Sequence, residues 1–225
     1  HVLFMDDDAS YQMESLHRTY AFLAISKNPK AAVAGAMINN TEKWKMWENG
    51  AVFDQKCLPR QSGTDLRDPM AVMQMEFVSA REPDPKLYGG WWHFAFPIAQ
   101  VKRHPFPFFV RGDDVNFSLV NDFRITVLNG VVCFQDDFTD KESPLTWYLD
   151  FRSHMVHHLT LEKMEVPPRR LVRMAVWFFL RNLVKCQYET IEAVLLAFED
   201  VMRGPDFFVE NADMAERRAR IKALA

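Results

Sequence analysis

The sequence predicts a mixed α/β fold that gives way to an all-helical region near residue 140. Three observations lead there. In the first part, short apolar runs alternate with Asn-Gly, Gly-Gly and proline turn signals, the pattern of strands joined by turns. Beyond Pro144, apolar residues recur at helical spacing over long segments. A chain of 225 residues with 48% hydrophobic and 25% charged content can bury a core, which excludes wholesale disorder. The balance of 27 Lys+Arg against 30 Asp+Glu, a net charge of −3, argues against a dedicated nucleic-acid binder. Cys57, Cys133 and Cys186 are too few and too scattered for a disulfide framework or a CxxC zinc site, so a reducing, cytoplasmic compartment is expected.

Taken in order, Val2-Leu3-Phe4-Met5 reads as a strand entered in progress. The expectation is a fragment whose upstream part is out of view. Ser10 is positioned to cap a helix with apolar positions Met13, Leu16, Tyr20 and Leu23, ended by Asn28-Pro29. Residues 31–38 read as a strand, and 44–53 as a hairpin turning at Asn49-Gly50. Residues 57–69 read as a loop, and 70–77 fit a helix or a strand. Gly89-Gly90 opens a strand through Pro97, and 105–110 is an extended Pro/Phe segment. Asp113-Asp114 starts a short helix through Leu119, and Asn129-Gly130 reads as a turn between two strands. Helices follow at 144–161, 168–186, 189–202 and 211–225. The domain division is 1–140 and 141–225. The longest apolar run of the C-terminal part, Met174 to Leu180, is far shorter than a spanning helix. It suits a buried helix. The alternative is a helix lying on an anionic membrane surface, with Arg169, Arg170, Arg173, Arg181 and Lys185 beside Trp177, Phe178 and Phe179.

Several residues are equipped for chemistry. Asp6-Asp7-Asp8 crowds three carboxylates together, which repel one another without a cation or donor among them. At a strand's end Asp6 and Asp8 would point to one side and hold a divalent metal that neutralises a diphosphate. The alternative is a solvated turn that caps the next helix. Asp113-Asp114 offers a general base for a hydroxyl nucleophile, or simply a helix cap. Trp91 and Trp92 offer an indole face for a sugar, with at least one of them expected in the core, and His93 is either a substrate hydrogen-bonder or a core histidine. His154 and His158 share a helix face, but no HExxH pattern surrounds them. No GxSxG, GxxxxGK[ST] or GxGxxG motif is present.

The blocks FMDDD (4–8), INNTEKWKMWENGAVFD (38–54), YGGWWHFAFP (88–97), PFPFFVRGDD (105–114) and WYLDFRS (147–153) occur in that order. Together they resemble the inverting family-two glycosyltransferases of the GT-A (Rossmann-like) fold. Among these the chain is similar to bacterial galactofuranosyltransferases of the mycobacterial galactan type, from residue 1 to about 200. The resemblance implies the metal and acceptor half of a GT-A domain, with the nucleoside-binding half upstream, followed by a helical region. It implies Asp6 and Asp7 on the nucleotide-sugar and Asp8 with Asp6 on Mn²⁺ or Mg²⁺. Asp114 would be the catalytic base, and Asp113, Trp91, Trp92 and His93 would line the acceptor site. The donor would be UDP-galactofuranose and the acceptor an oligosaccharide or lipid-linked glycan of a surface polysaccharide. Peripheral contact with the cytoplasmic face of the inner membrane is implied as well.

Two departures stand out. Gln135 takes the place of a histidine metal ligand, with Asp136 or Asp137 as substitutes, and Gly112 stands where the mycobacterial members have an aromatic residue. The fragment by itself is expected to be inactive. Two other readings remain open: transfer of rhamnose, glucose or galactose, and a non-catalytic glycan-binding module that has lost its metal.

Overall fold

The structure, a computed structural model, describes residues 1–106, 111–136 and 142–224. Residues 107–110 of the Pro/Phe segment, Asp137 and the 140/141 boundary lie outside the described residues. The fold is mixed α/β with a helical C-terminal region. Two compact units form, His1–His104 with Phe117–Asp137, and Pro105–Asn116 with Phe138–Ala225.

In chain order the first part runs β1 (Val2–Phe4), β2 (Ser10–Tyr11), α1 (Met13–Ile25), β3 (Ala31–Asn39), β4 (Met46–Glu48), β5 (Ala51–Phe53), β6 (Cys57–Pro59), α2 (Pro69–Ser79), β7 (Leu87–Tyr88), β8 (Phe94–Phe96), α3 (Asp113–Val120) and β9 (Arg124–Gln135). The main sheet has the order β1-β8-β3-β9-β2, with β4 also on β3, and a small sheet is ordered β6-β5-β7. β3 runs parallel to β9, and every other pairing is antiparallel. All nine residues of β3 are buried, as expected of an apolar strand paired on both sides. Phe94, Phe96, Phe117, Ile125 and Val127 pack with Ala32 and Ala34 into this unit's main core. Because β1 and β3 are both antiparallel to β8, β1, β3 and β9 point the same way. Their C-terminal ends lead into Asp6–Asp8, Asn39-Asn40 and Gln135-Asp136, where open α/β sheets carry their ligands.

Tertiary pairing overrides several local signals. Ser10 lies in β2, opposite Phe134, so α1 starts after Gln12 without a side-chain cap. The inward face of α1 carries Ser15, Thr19 and Leu23, while Met13 and Tyr20 are exposed. Ser15 replaces apolar packing with hydrogen bonds, since its Oγ lies 3.0 Å from both the N and the O of Val132. Asn49-Gly50 does not close a hairpin. β4 pairs with β3 and β5 with β6 and β7, so this turn passes the chain from one sheet to the other. Residues 57–59 of the expected loop are strand β6, and the ambiguous 70–77 is helix α2, capped by Asp68 with Pro69 at its first position. Asn129-Gly130 is a bulge inside one strand: β9 advances from Val127 to Val132 while β3 advances from Ala34 to Ala36. Gly89 to Trp92 is a turn, and the strand after it covers only 94–96.

The second unit contains α4 (Pro144–Thr160), α5 (Pro168–Val184), α6 (Tyr188–Arg203), α7 (Pro205–Glu210) and α8 (Ala215–Lys222). A reciprocal capping box between Ser143 and Thr146 starts α4. The core gathers Tyr148, Phe151, Met155, Phe178, Ala193, Val194, Ala197 and Phe208. The last expected helix, 211–225, is shortened to α8, and α7 precedes it. Among the described residues no helix is long and apolar enough to cross a membrane.

Candidate active site

In the first unit the candidate residues collect at the strand ends. The aspartate motif lies just past β1, with Asp7 and Asp8 in a turn, so strand alternation does not set their directions. Asp6 is half-buried, and Asp7 and Asp8 are exposed. The end of β9 delivers Gln135, whose Nε2 donates to Asp8 Oδ1 at 2.6 Å. Its Oε1 is buried and has no hydrogen-bond partner among the described residues. Next to it, Asn40 Nδ2 donates to Asp136 Oδ1 at 3.3 Å. The side chain of Asn39 folds back on the chain, accepting from Thr41 and from Glu42 N. Among the described residues no three His, Cys, Asp or Glu side chains form a metal cluster. An all-oxygen set of one or two carboxylates and an amide nevertheless suits a hard divalent cation that takes its remaining ligands from substrate phosphates. The orphaned Gln135 Oε1 beside Asp8 fits such an ion.

Tyr11, which sequence reasoning passed over, ties this edge to the tryptophan turn. Its hydroxyl lies 2.5 Å from the carbonyl oxygen of Trp92 and 3.3 Å from that of Asp6. Burial pushes the phenol pKa up, so the group remains a donor at neutral pH. Trp92 is 8% exposed and its Nε1 donates to Gly35 O at 3.2 Å. The turn demands glycine: a Cβ on Gly90 would lie 2.1 Å from the Trp92 ring. Trp91 is half-buried, edge-on to Phe4 with ring centres 4.8 Å apart. Its Nε1 is buried without a hydrogen-bond partner among the described residues. Of the two rings, at least one of which was expected in the core, both pack there.

His93 is fully buried. Thr19 Oγ1 donates to Ser15 O at 2.8 Å, so the 2.9 Å contact between Thr19 Oγ1 and His93 Nε2 assigns the proton to Nε2. Burial lowers this imidazole to about 4. His93 therefore occupies the core histidine position, and its ring offers no surface to a sugar in this structure.

In the second unit the carboxylate pair opens α3. Arg111 and Gly112 both adopt left-handed backbone, φ +66° and +90°, and swing the chain onto α4. Arg111 Nη1 donates to both oxygens of Asp150 at 2.8 and 3.0 Å. A Cβ on Gly112 would lie 2.4 Å from Ser153 Cβ and 3.1 Å from His157 Nε2, so any side chain here would strike α4. Asn116 Nδ2 reaches Thr160 Oγ1 at 3.5 Å. Asp150, Ser153, His157 and Thr160 are spaced 3, 4 and 3 apart, so one face of α4 forms the seat of this turn. Asp113 and Asp114 are both half-buried, and Asp114 Oδ1 accepts from Val115 N at 2.7 Å. Burial pushes the Asp113 carboxyl up, while the backbone N–H groups of Asp113 and Asp114 and the charge of Arg152 pull it down. His154 and His158 remain in the helical interior, and His158 Nδ1 lies 2.7 Å from Met164 O.

Sequence comparison extends these observations. The chain is 24% identical over 220 residues to the galactofuranosyltransferase GlfT2 of Mycolicibacterium smegmatis. It is 26% identical over 227 residues to the protein of the same name from Mycobacterium tuberculosis. Each alignment covers 91% of this chain and 34% of the relative, so the chain spans about a third of the length of the curated relatives it matches. No family model matches. The similarity, which runs through both units, supports a relationship to glycosyltransferases.

Proposed function

We propose that the chain is part of a metal-dependent inverting glycosyltransferase that moves galactofuranose from UDP-galactofuranose to a growing surface glycan. The observation that carries this reading is the gathering of Asp6–Asp8 and Gln135 at the sheet's strand ends in a chain similar to two galactofuranosyltransferases. Asp8, Asp6 and the Oε1 of Gln135 would hold Mn²⁺ or Mg²⁺, and Asp6 and Asp7 would meet the nucleotide-sugar. When bound, the ion supplies positive charge to the leaving diphosphate. Asp114 accepts the proton of the acceptor hydroxyl as its oxygen attacks the anomeric carbon. One base suffices, because an inverting displacement forms no glycosyl-enzyme intermediate. Asp113 orients the acceptor.

The deciding test is acceptor-dependent UDP release by the product of the full open reading frame. It uses a panel of nucleotide-sugars, a galactose-terminated acceptor and Mg²⁺ or Mn²⁺. Release confined to UDP-galactofuranose, abolished by EDTA and by Asp114→Asn while acceptor binding persists, is the expected result. Release with another donor moves the assignment to a different sugar. A second reading, a glycan-binding module without a metal, draws on the direct Gln135–Asp8 hydrogen bond, which needs no cation. It predicts acceptor binding with no release from any donor.

Contact with a membrane is proposed through the outer face of α5, where Val172, Val176 and Leu180 are exposed at intervals of four beside Arg169 and Arg173. Reversing both charges, Arg169→Glu with Arg173→Glu, is expected to weaken cosedimentation with anionic vesicles and to leave sedimentation with neutral ones unchanged.

A further inference from the structure

β1 and β8 separate where the candidate site begins. They pair in the register Val2–Phe96, Leu3–Ala95 and Phe4–Phe94. Carried two residues further, this register would set Asp6 opposite Trp92. The pairing stops before that point: past Phe4 the chain leaves for the aspartate turn, and Trp92 belongs to the turn that precedes β8. Tyr11 of β2, at the other edge of the same sheet, spans the resulting gap. Its ring centre lies 6.1 Å from that of the buried His93. Its hydroxyl stands 2.5 Å from Trp92 O and 3.3 Å from Asp6 O, the carbonyls of the two residues that the interrupted register would have paired. A phenol has one proton to give. The nearer carbonyl, Trp92 O, takes it, and Asp6 O shares it in a three-centre bond.

Both ends of this bridge are anchored. On one side the tryptophan turn is sewn to the buried strand β3: Trp92 Nε1 donates to Gly35 O at 3.2 Å, and Gly35 N donates to His93 O at 2.9 Å. On the other, β9 governs both flanks of the aspartate turn. Tyr11 is paired with Cys133, and two residues further along β9 Gln135 donates to Asp8. Asp6 is thus held through its main chain and Asp8 through its side chain. We propose that Tyr11 is a positioning residue for the cation site: its hydroxyl latches the aspartate turn to the tryptophan turn where β1 and β8 part, and so fixes where Asp6 and Asp8 stand to receive a divalent ion. A turn held in place loses less freedom when the ion binds. The positioning role rests on the metal-dependent reading proposed above, but the latch itself does not.

The test compares the product of the full open reading frame with its Tyr11→Phe variant, which removes one oxygen and keeps the ring. Hydrogen–deuterium exchange read by mass spectrometry should quicken severalfold in both turns, residues 5–10 and 89–93, and stay unchanged in β3. The affinity for Mn²⁺ alone, read from the EPR signal of the free ion, should fall about two- to tenfold, the worth of one hydrogen bond. Placing 4-aminophenylalanine at position 11, which keeps an N–H donor at the same place, should restore both. Unchanged exchange in the two turns overturns the proposal. So does quickened exchange with the Mn²⁺ affinity of the parent retained. If Tyr11→Phe does not fold, the parent decides: saturating Mn²⁺ should slow exchange in both turns, and slowing confined to residues 5–10 overturns the proposal. A parent that binds no Mn²⁺ while Tyr11→Phe loosens both turns removes the metal-dependent reading and the positioning role with it, and upholds the latch.

Discussion

His93 shows how one residue's role is decided by what closes around it. In the sequence it stands beside two tryptophans and reads either as a substrate hydrogen-bonder or as core. In the fold it is sealed against Thr19, and a Cβ on Gly35 would lie 2.8 Å from its own Cβ. Its folded pKa of about 4 lies below the ordinary 6.5. The stability it contributes is therefore complete above pH 6.5 and is lost as pH falls from there toward 4, by about 3 kcal/mol in total. Denaturant unfolding of the parent and of His93→Gln across this range should show the extra acid loss in the parent alone. A ligand role would show in transfer or binding instead. Gln135 is the opposite case. Its candidacy came from a position in a motif, and the structure adds a physical reason, an amide aimed at Asp8 with its oxygen left over.

At the scale of elements, the turn into α3 carries the most information. Its left-handed glycine and the seat on α4 are one device, because a side chain at Gly112 would strike Ser153 and His157. Gly112→Ala should cost about 2 kcal/mol or more, from left-handed strain and from the displaced neighbours together. Calorimetric unfolding measures this. Helices α4, α5 and α6 were legible, while α7 was not. Pro144 and Pro168 each sit at a helix start, where a missing N–H and a fixed φ do no harm; Pro205 does the same for α7. Asn-Gly signals were legible only as breaks. Whether such a pair closes a hairpin, hands the chain to another sheet at Asn49-Gly50 or bulges a strand at Asn129-Gly130 depends on which distant strand lies alongside. The face of α1 was misread for a related reason: Ser15 and Thr19 are drawn inward by hydrogen bonds to Val132 and His93, partners far away in the chain.

For the whole molecule, each unit has its own means of cohesion. The first is held by β3, buried along its entire length. The second depends on an apolar core wrapped around the Asp200–Arg217 pair, which joins α6 to α8. Arg217→Met leaves Asp200 buried with less compensation and should destabilise the helical unit by about 3–5 kcal/mol, whereas replacing both partners with apolar residues should recover much of that loss. Chemical denaturation of the single and double variants checks this, and equal losses in both would contradict it.

The sequence by itself determined the mixed class and the change to helix after Pro144, and it marked the candidates for chemistry: the aspartate triplet, the aspartate pair and the two tryptophans. These are local properties, set by periodicity, proline and glycine, and by the crowding of like charges. Tertiary structure alone decided that Gln135 meets Asp8, that Tyr11 bonds Trp92 across the sheet, that His93 is buried, and that Arg152 lies in the helical interior. Each of these joins residues far apart in the chain or fixes how much water a group retains. Hydrogen-bond partners and dielectric surroundings come into being only when the chain has closed.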